Sequence, residues 1–155
     1  MNLTVAERFQ LVGLRVHQWL YERTDGRVGH NIGPLRSLLL RTKGARTGKE
    51  RVAALVYAAD GPGRYVVVGS NGGNDKAPGW VFNARAEPNV EIQLGRERHP
   101  AVAHEAEGDE YDRLWKLVNE KNRHKDTGRY DEYQTRTTRT IPLVVLTSGT
   151  GSSPP

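Results

Sequence analysis

The chain has no cysteine among its 155 residues. This absence excludes disulfide bonds, cysteine nucleophiles, thiolate-bound metals and iron–sulfur clusters. No apolar run approaches the roughly 20 residues that a membrane-spanning helix needs. The first residues mix acidic and polar side chains with apolar ones, unlike a secretory signal peptide. We therefore expect a cytoplasmic protein with one domain, because this length suffices for one hydrophobic core but not for separate cofactor and substrate domains.

Several catalytic motifs are nearly present but incomplete. The segment 44–49 resembles a phosphate-binding P-loop, but it is one residue short, and Glu50 stands where a metal-binding Ser or Thr is needed. The segment 61–66 begins like a dinucleotide fingerprint, but it lacks the final glycine and precedes a predicted strand. Ser70 lacks the glycine two positions earlier that a nucleophile elbow has. The histidines show no metal-ligand spacing: His17, His30, His99, His104 and His124. These gaps argue against a metalloenzyme and against a hydrolase.

The apolar patterns predict a mainly antiparallel fold. About six strands are expected from alternating or apolar runs, at residues 37–42, 51–59, 64–70, 90–94, 97–105 and 141–147. Helices are expected at residues 4–23, 78–86 and 109–123, and a short turn at 131–136. Because most strands are joined by hairpin signals and the helices are segregated, the fold class is α+β with an antiparallel sheet or small barrel. One domain is expected over 1–147, and the Gly/Ser/Pro-rich segment 148–155 is expected to be disordered.

Positive charge is in excess and partly concentrated. Lys and Arg number 23 against 18 acidic residues, which gives a net charge of +5. Such an excess favours an anionic partner, although a merely solvated basic surface is the alternative. Four cations lie at the junction of the first two predicted strands: Lys43, Arg46, Lys49 and Arg51. Neighbouring glycines let backbone N–H groups approach a ligand, and arginine can bind phosphate with two N–H groups. No aromatic residue lies among these cations, which argues against nucleic acid.

A second unusual segment covers residues 70–80. It leaves a strand, passes two glycines and Lys76, and enters a helix at Pro78. A helix N-terminus preceded by a lysine suits an anionic or polarised ligand edge. Trp80 could cover a planar ring or anchor the helix in the core, and the sequence leaves both open.

Five segments in this order, 38–48, 67–73, 76–83, 130–137 and 141–146, resemble the deazaflavin-dependent nitroreductase family of mycobacteria and related actinobacteria. The resemblance covers nearly the whole chain. It implies a split β-barrel that binds coenzyme F420, a 5-deazaflavin with a ribityl phosphate and an acidic oligoglutamate tail. It also implies hydride transfer from the reduced cofactor to an enone, a quinone or a nitroaromatic compound. The alternatives are an FMN-binding split-barrel flavoprotein and a non-catalytic F420 carrier.

The same resemblance assigns candidate site residues. The phosphate and tail would lie against Lys43, Arg46, Thr47, Gly48, Lys49 and Arg51. The ring would lie near Ala54, Leu55, Ser70, Asn71, Lys76, Ala77 and Trp80. Tyr130 and Tyr133 match tyrosines on the substrate side, with Tyr133 as the predicted proton donor or hydrogen-bond partner and Ser70 as the second choice. Solvent could supply the proton instead, because a phenol with a pKa near 10 is a weak acid at neutral pH.

The predicted partner is a small-molecule electron acceptor, with no metal and no nucleic acid. The sequence leaves monomer and homodimer open. Residues 4–23 carry apolar side chains at helical spacing, which is typical of a helix docked on the core. The alternative for this helix is peripheral contact with the inner face of the membrane, next to a quinone.

Overall fold

The computed structural model describes residues 31–32, 35–121 and 130–149. The predicted N-terminal helix over 4–23, with its membrane alternative, and most of the predicted tail lie outside the described residues. Within the described part of the chain, no helix is both long and apolar enough to cross a membrane.

Strands dominate the described residues. They are β1 (Asn31–Ile32), β2 (Leu35–Lys43), β3 (Glu50–Ala59), β4 (Arg64–Val68), β5 (Asn89–Leu94), β6 (Glu97–Glu105) and β7 (Leu143–Ser148). The α-helices are α1 (Gly79–Ala86), α2 (Gly108–Lys121) and α3 (Tyr130–Gln134). A short 3-10 helix, Asn71–Gly73, follows β4.

Six of these strands close into a barrel. The order across the sheet is β1-β2-β3-β4-β7-β6-β5, and β5 also pairs with β2, so that β1 alone lies outside the ring. Every pairing is antiparallel. Closure satisfies the strand edges that an open sheet would leave unpaired. The predicted α+β barrel of about six antiparallel strands is confirmed.

The ends of several elements differ from the sequence prediction. The strand predicted to begin at Ile141 begins at Leu143, because Pro142 has no N–H to donate to a ladder. It includes Ser148, which the sequence analysis placed in the tail. The strand predicted to reach Ser70 ends at Val68. The helix begins at Gly79 and not at Pro78, whose backbone is extended with ψ 152°. Neither β1 nor the 3-10 helix was predicted, and the turn at 131–136 forms α3.

Two apolar clusters lie on opposite faces of the curved sheet. The first cluster fills the barrel interior and contains alternate residues from all six barrel strands, as expected when successive side chains of a strand point to opposite faces. It includes Leu38, Leu40, Tyr57, Val67, Ile92, Ala103 and Leu146. Trp80 and Val81 of α1 pack into the same cluster. The second lies outside the barrel between α2 and the sheet, where Leu114 and Val118 meet Leu143. Trp80 therefore anchors its helix in the core.

An ionic cluster joins the β3–β4 turn to α2. Arg113 donates two hydrogen bonds to the Asp60 carboxylate, at 2.7 and 2.9 Å, and Arg64 donates to the same group at 3.3 Å. These bonds, led by those of Arg113, hold the pKa of Asp60 below its usual value. The His104 Nε2 atom lies 2.8 Å from Glu110 Oε1, and this bond lowers the pKa of Glu110. Both carboxylates are therefore stabilised in their charged form by folding.

We expect the free energy of unfolding to fall as the pH is lowered from about 5. Since both pKa values are lowered in the folded state, this stabilisation is present above the ordinary carboxyl pKa values near 4 and is lost as the pH falls through the lowered values. The Arg113→Met variant removes the largest cause of the lowered pKa of Asp60. Its free energy of unfolding should therefore fall less steeply as the pH is lowered. Urea unfolding from pH 7 to pH 3 measures this, and parallel curves for the two proteins would contradict it.

Candidate functional site

A cavity of about 1010 Å³ opens between the β2–β3 connection and the beginning of α1. We call residues 44–49 the basic loop and residues 69–76 the wall loop. The cavity is lined by residues from both loops, from the neighbouring strand ends and from α1: Thr42, Gly44, Ala45, Arg46, Thr47, Arg51, Val52, Ala53, Asn71, Lys76, Ala77, Pro78, Gly79, Trp80, Phe82 and Asn83. Its charged members are Arg46, Arg51 and Lys76, and the other lining residues are apolar or uncharged.

The basic loop is held by its own backbone. The Gly44 N–H donates to the Lys49 carbonyl at 2.7 Å, and the Gly48 N–H donates to the Gly44 carbonyl at 2.8 Å. Gly48 has a φ of 68°, a conformation that favours glycine. A Cβ on Gly44 would lie 2.8 Å from the Thr47 hydroxyl. These contacts fold the loop back on itself and leave its side chains exposed.

The strand register places two of the four predicted cations, Lys43 and Arg51, on opposite faces. Thr42 pairs with Arg51, and both line the cavity, whereas Lys43 pairs with Glu50 and is not among the lining residues. This follows from the alternation of side chains along a strand. Arg46 lines the cavity, and Lys49 does not.

No acidic residue of the described chain lines the cavity. Within the described part of the chain, neither Arg46 nor Arg51 forms a salt bridge, although Arg41 just outside the lining pairs with Glu50 and Glu91. Unpaired guanidinium groups beside a concave surface favour a bound anion such as phosphate or carboxylate.

Asn83 connects the basic loop to α1, a role that the sequence analysis did not assign. Its Oδ1 accepts a hydrogen bond from the Ala45 N–H at 2.9 Å, and its Nδ2 donates to the Thr42 hydroxyl at 3.2 Å. A signal was present, because asparagine is a poor helix former inside a helix that packs on a core. Asn83 therefore positions the basic loop against the helix that carries Trp80.

The wall loop is built around strained and polar residues. Asn71 has a φ of 45°, and its Nδ2 donates to the Lys76 carbonyl at 2.9 Å. Asn74 donates from Nδ2 to the Asn71 carbonyl at 3.0 Å. A non-glycine residue at positive φ is uncommon outside turns and functional sites. These bonds fix the loop so that Asn71 and Lys76 line the cavity.

The two tyrosines of α3 lie outside the cavity lining. Tyr130 packs against the second apolar cluster, and burial raises its pKa. Tyr133 lies beside the wall loop, with the Arg136 guanidinium 5.4 Å from its ring centroid. Burial is also the largest cause that raises the pKa of Tyr133. A raised pKa makes each phenol a weaker acid, so both hydroxyls keep their protons at neutral pH.

The structure brings about half of the predicted site residues together. Those that line the cavity are Arg46, Thr47, Arg51, Asn71, Lys76, Ala77 and Trp80. Those that do not are Lys43, Gly48, Lys49, Ala54, Leu55, Ser70, Tyr130 and Tyr133. Leu55 packs against the interior cluster, and Ala53 lines the cavity instead of Ala54. Across the described ranges, no group of three or more His, Asp or Glu side chains could hold a metal ion.

Comparison with known proteins identifies the family. Residues 13–148 match the family described as F420H(2)-dependent quinone reductase. An F420H(2)-dependent quinone reductase of Mycobacterium tuberculosis is 46% identical over 137 residues, which cover 86% of this chain and 89% of the relative. A solved F420-H2 dependent reductase is 39% identical with a TM-score of 0.62, over 71% of this chain and 92% of that one. A solved domain-swapped dimer is 36% identical with a TM-score of 0.64, over 83% and 96%. The chain belongs to the F420H(2)-dependent quinone reductase family.

Proposed function

We propose that this protein is a reductase that binds coenzyme F420 in the cavity between the basic loop and α1. The main observation behind this proposal is that one cavity contains both Arg46 and Arg51 and the apolar surface around Trp80. Neither arginine forms a salt bridge within the described residues. A phosphorylated, acidic cofactor with a planar ring needs both features. Family membership independently supports the same cofactor.

The residues present fit the parts of this cofactor. Arg46, Thr47 and Arg51 would hold the phosphate and the tail carboxylates through N–H and O–H donors. Ala53 and Trp80 would face the ring, and Lys76 would bind a polarised edge of it. When bound and reduced, the deazaflavin supplies a hydride to the acceptor. The apolar residues of the lining would limit the access of water to the ring.

The proton that completes the reduction is proposed to come from water. Tyr133 keeps its own proton because burial raises its pKa, so it would donate a hydrogen bond to the acceptor without ionising. Ser70 is the second candidate for this bond. Tyr130, packed against the α2 cluster, would position its neighbour Tyr133, whose ring centroid lies 6.3 Å away.

The proposed acceptor is a quinone, because that is the acceptor in the name of the family. The test mixes purified protein with reduced F420 and follows the recovery of deazaflavin fluorescence with a quinone, an enone and a nitroaromatic compound. We expect the quinone to be reduced with the highest kcat/KM. Reduction of only the nitroaromatic compound or only the enone would overturn the proposal that the acceptor is a quinone. No turnover with any of the three compounds would overturn the reductase function.

Asn83→Ala should weaken F420 binding up to about 30-fold, because the variant frees the basic loop from α1 and loses two hydrogen bonds worth about 1 kcal/mol each. Fluorescence titration with oxidised F420 measures this. Asn89→Ala is the matched control, since Asn89 also bonds through its amide, to Glu87, but lies outside the cavity lining. Equal affinities for the two variants would contradict the role of Asn83.

We also propose that the protein forms a homodimer, on its likeness to the solved domain-swapped dimer at 36% identity. Light scattering after gel filtration should give twice the 17.3 kDa of one chain. A single mass of one chain at all concentrations would overturn this proposal.

A further inference from the structure

One arginine outside the cavity lining contacts the wall loop at three main-chain carbonyls. Arg139, in the linker between α3 and β7 (residues 135–142), donates from Nε to the Asn74 carbonyl at 2.8 Å. Its Nη2 donates to the Gly69 carbonyl at 3.2 Å and to the Ser70 carbonyl at 3.0 Å. One guanidinium thus joins the beginning of the wall loop, at Gly69 and Ser70, to Asn74, which lies five positions after Gly69.

Other residues of the linker contact the same loop. Thr137 donates from its hydroxyl to the Asp75 carboxylate at 2.8 Å. Arg136 donates to the Gly72 carbonyl over a longer distance of 3.5 Å. The linker therefore meets the wall loop along most of its length, and its densest contacts come from Arg139.

The surroundings of Arg139 disfavour its charged guanidinium. Within the described residues it forms no salt bridge, and its buried Nη1 has no hydrogen-bond partner. Burial is the largest cause that lowers the pKa of this guanidinium. The guanidinium is partly buried, and the attraction of the Asp75 carboxylate offsets only part of the desolvation, a cost that an apolar residue of similar size would avoid. The guanidinium meets this cost while it holds three carbonyls of the wall loop.

The bonds to Arg139 also orient the other side of the wall loop. The C=O and N–H of a trans peptide point in opposite directions, and the described chain has no cis peptide. Because the carbonyls of Gly69 and Ser70 face Arg139, the N–H groups of Ser70 and Asn71 are directed away from it. Asn71 lines the cavity, and its side chain in turn bonds the carbonyl of Lys76.

We propose that Arg139 is a positioning residue for cofactor binding. It holds the wall loop in the conformation that presents Asn71 and Lys76 to the ring of the bound deazaflavin. Through the linker it also ties this wall to α3, which carries Tyr133. The proposal rests on the proposed function, since it assumes that the cavity receives F420.

The test compares Arg139→Met, Arg139→Lys and Thr137→Val with the control Arg113→Met. Arg113 also donates two hydrogen bonds, to Asp60, but lies outside the cavity lining. The first readout is hydrogen exchange of the amides of residues 70–76 in the cofactor-free protein. The second is the dissociation constant of oxidised F420 by fluorescence titration, and the third is the melting temperature.

We expect Arg139→Met to speed exchange in residues 70–76 and to weaken F420 binding about tenfold or more, as the loss of several charged hydrogen bonds implies. Arg139→Lys keeps the charge without the planar fork and should recover part of the affinity. Thr137→Val should weaken binding about threefold, and Arg113→Met should stay within about twofold of the wild type.

The outcomes separate this proposal from the function on which it rests. A wild-type protein that does not bind F420 would defeat the proposed function. If the wild type binds, affinities within about twofold for Arg139→Lys and Thr137→Val would overturn the positioning role, even if Arg139→Met fails to fold. An equal loss of affinity in Arg113→Met and Arg139→Met would also overturn it, because the effect would then follow general destabilisation.

Discussion

The double variant Arg46→Ala/Arg51→Ala is expected to bind oxidised F420 about 100-fold more weakly than the wild type. Both guanidinium groups line the cavity and form no salt bridge in the described part of the chain. A hydrogen bond to a charged group is worth about 1.5–3 kcal/mol, so two lost contacts exceed 2.7 kcal/mol on a conservative estimate, which is about 100-fold. Fluorescence titration at constant ionic strength measures the loss.

The second double variant, Lys43→Ala/Lys49→Ala, separates local contact from overall charge. This variant also removes two positive charges from the same region, but neither lysine lines the cavity. We expect a loss of about threefold that fades as salt is added, because long-range attraction between exposed charges is screened. If the lysine variant lost as much affinity as the arginine variant, the cofactor would lie elsewhere along the basic loop.

Gly73→Ala is expected to lower the free energy of unfolding by about 3 kcal/mol. Gly73 has a φ of 81°, where an L-residue is strained, and a Cβ there would lie 2.7 Å from the Tyr133 carbonyl oxygen. Because that neighbour is backbone, α3 and the wall loop must move apart. F420 binding should weaken in the same variant, since the moved loop carries Asn71.

Gly72→Ala is the matched control for this steric effect. Gly72 has a φ of 64°, but no atom lies within 4 Å of a Cβ built there. It should therefore show only the cost of the left-handed backbone, about 1 kcal/mol. Urea unfolding measures both variants. An equal loss of unfolding free energy in both variants would mean that the close approach of Tyr133 to Gly73 adds no steric cost to Gly73→Ala.

The individual strands and their antiparallel hairpins were predictable because their signals are local, whereas the local patterns left an open sheet and a closed barrel as alternatives. Strand β5 alternates apolar and polar residues, and Asp60 to Gly63 marks the hairpin between β3 and β4. These patterns depend on neighbouring residues alone. The element ends were less predictable, since the beginning of β7 depends on where Pro142 interrupts the pairing.

The candidate site was predictable in part. The alternation along β2 already places Thr42 on the face of Leu40, so that Lys43 must point to the other face, a consequence the sequence analysis did not draw. The contact of Asn83 with Ala45 spans 38 positions, and that of Arg139 with Gly69 spans 70. Such contacts arise only when the barrel is closed, so no local pattern predicts them.

The assignment of the cavity to F420 is tested most directly by calorimetric titration of the wild-type protein with oxidised F420, and in parallel with FMN. We expect saturable binding of one F420 per chain in the micromolar range, weakened about 100-fold in the Arg46→Ala/Arg51→Ala variant, and no measurable heat with FMN. Binding of FMN in place of F420, or F420 binding of unchanged affinity after the loss of both arginines, would contradict this assignment.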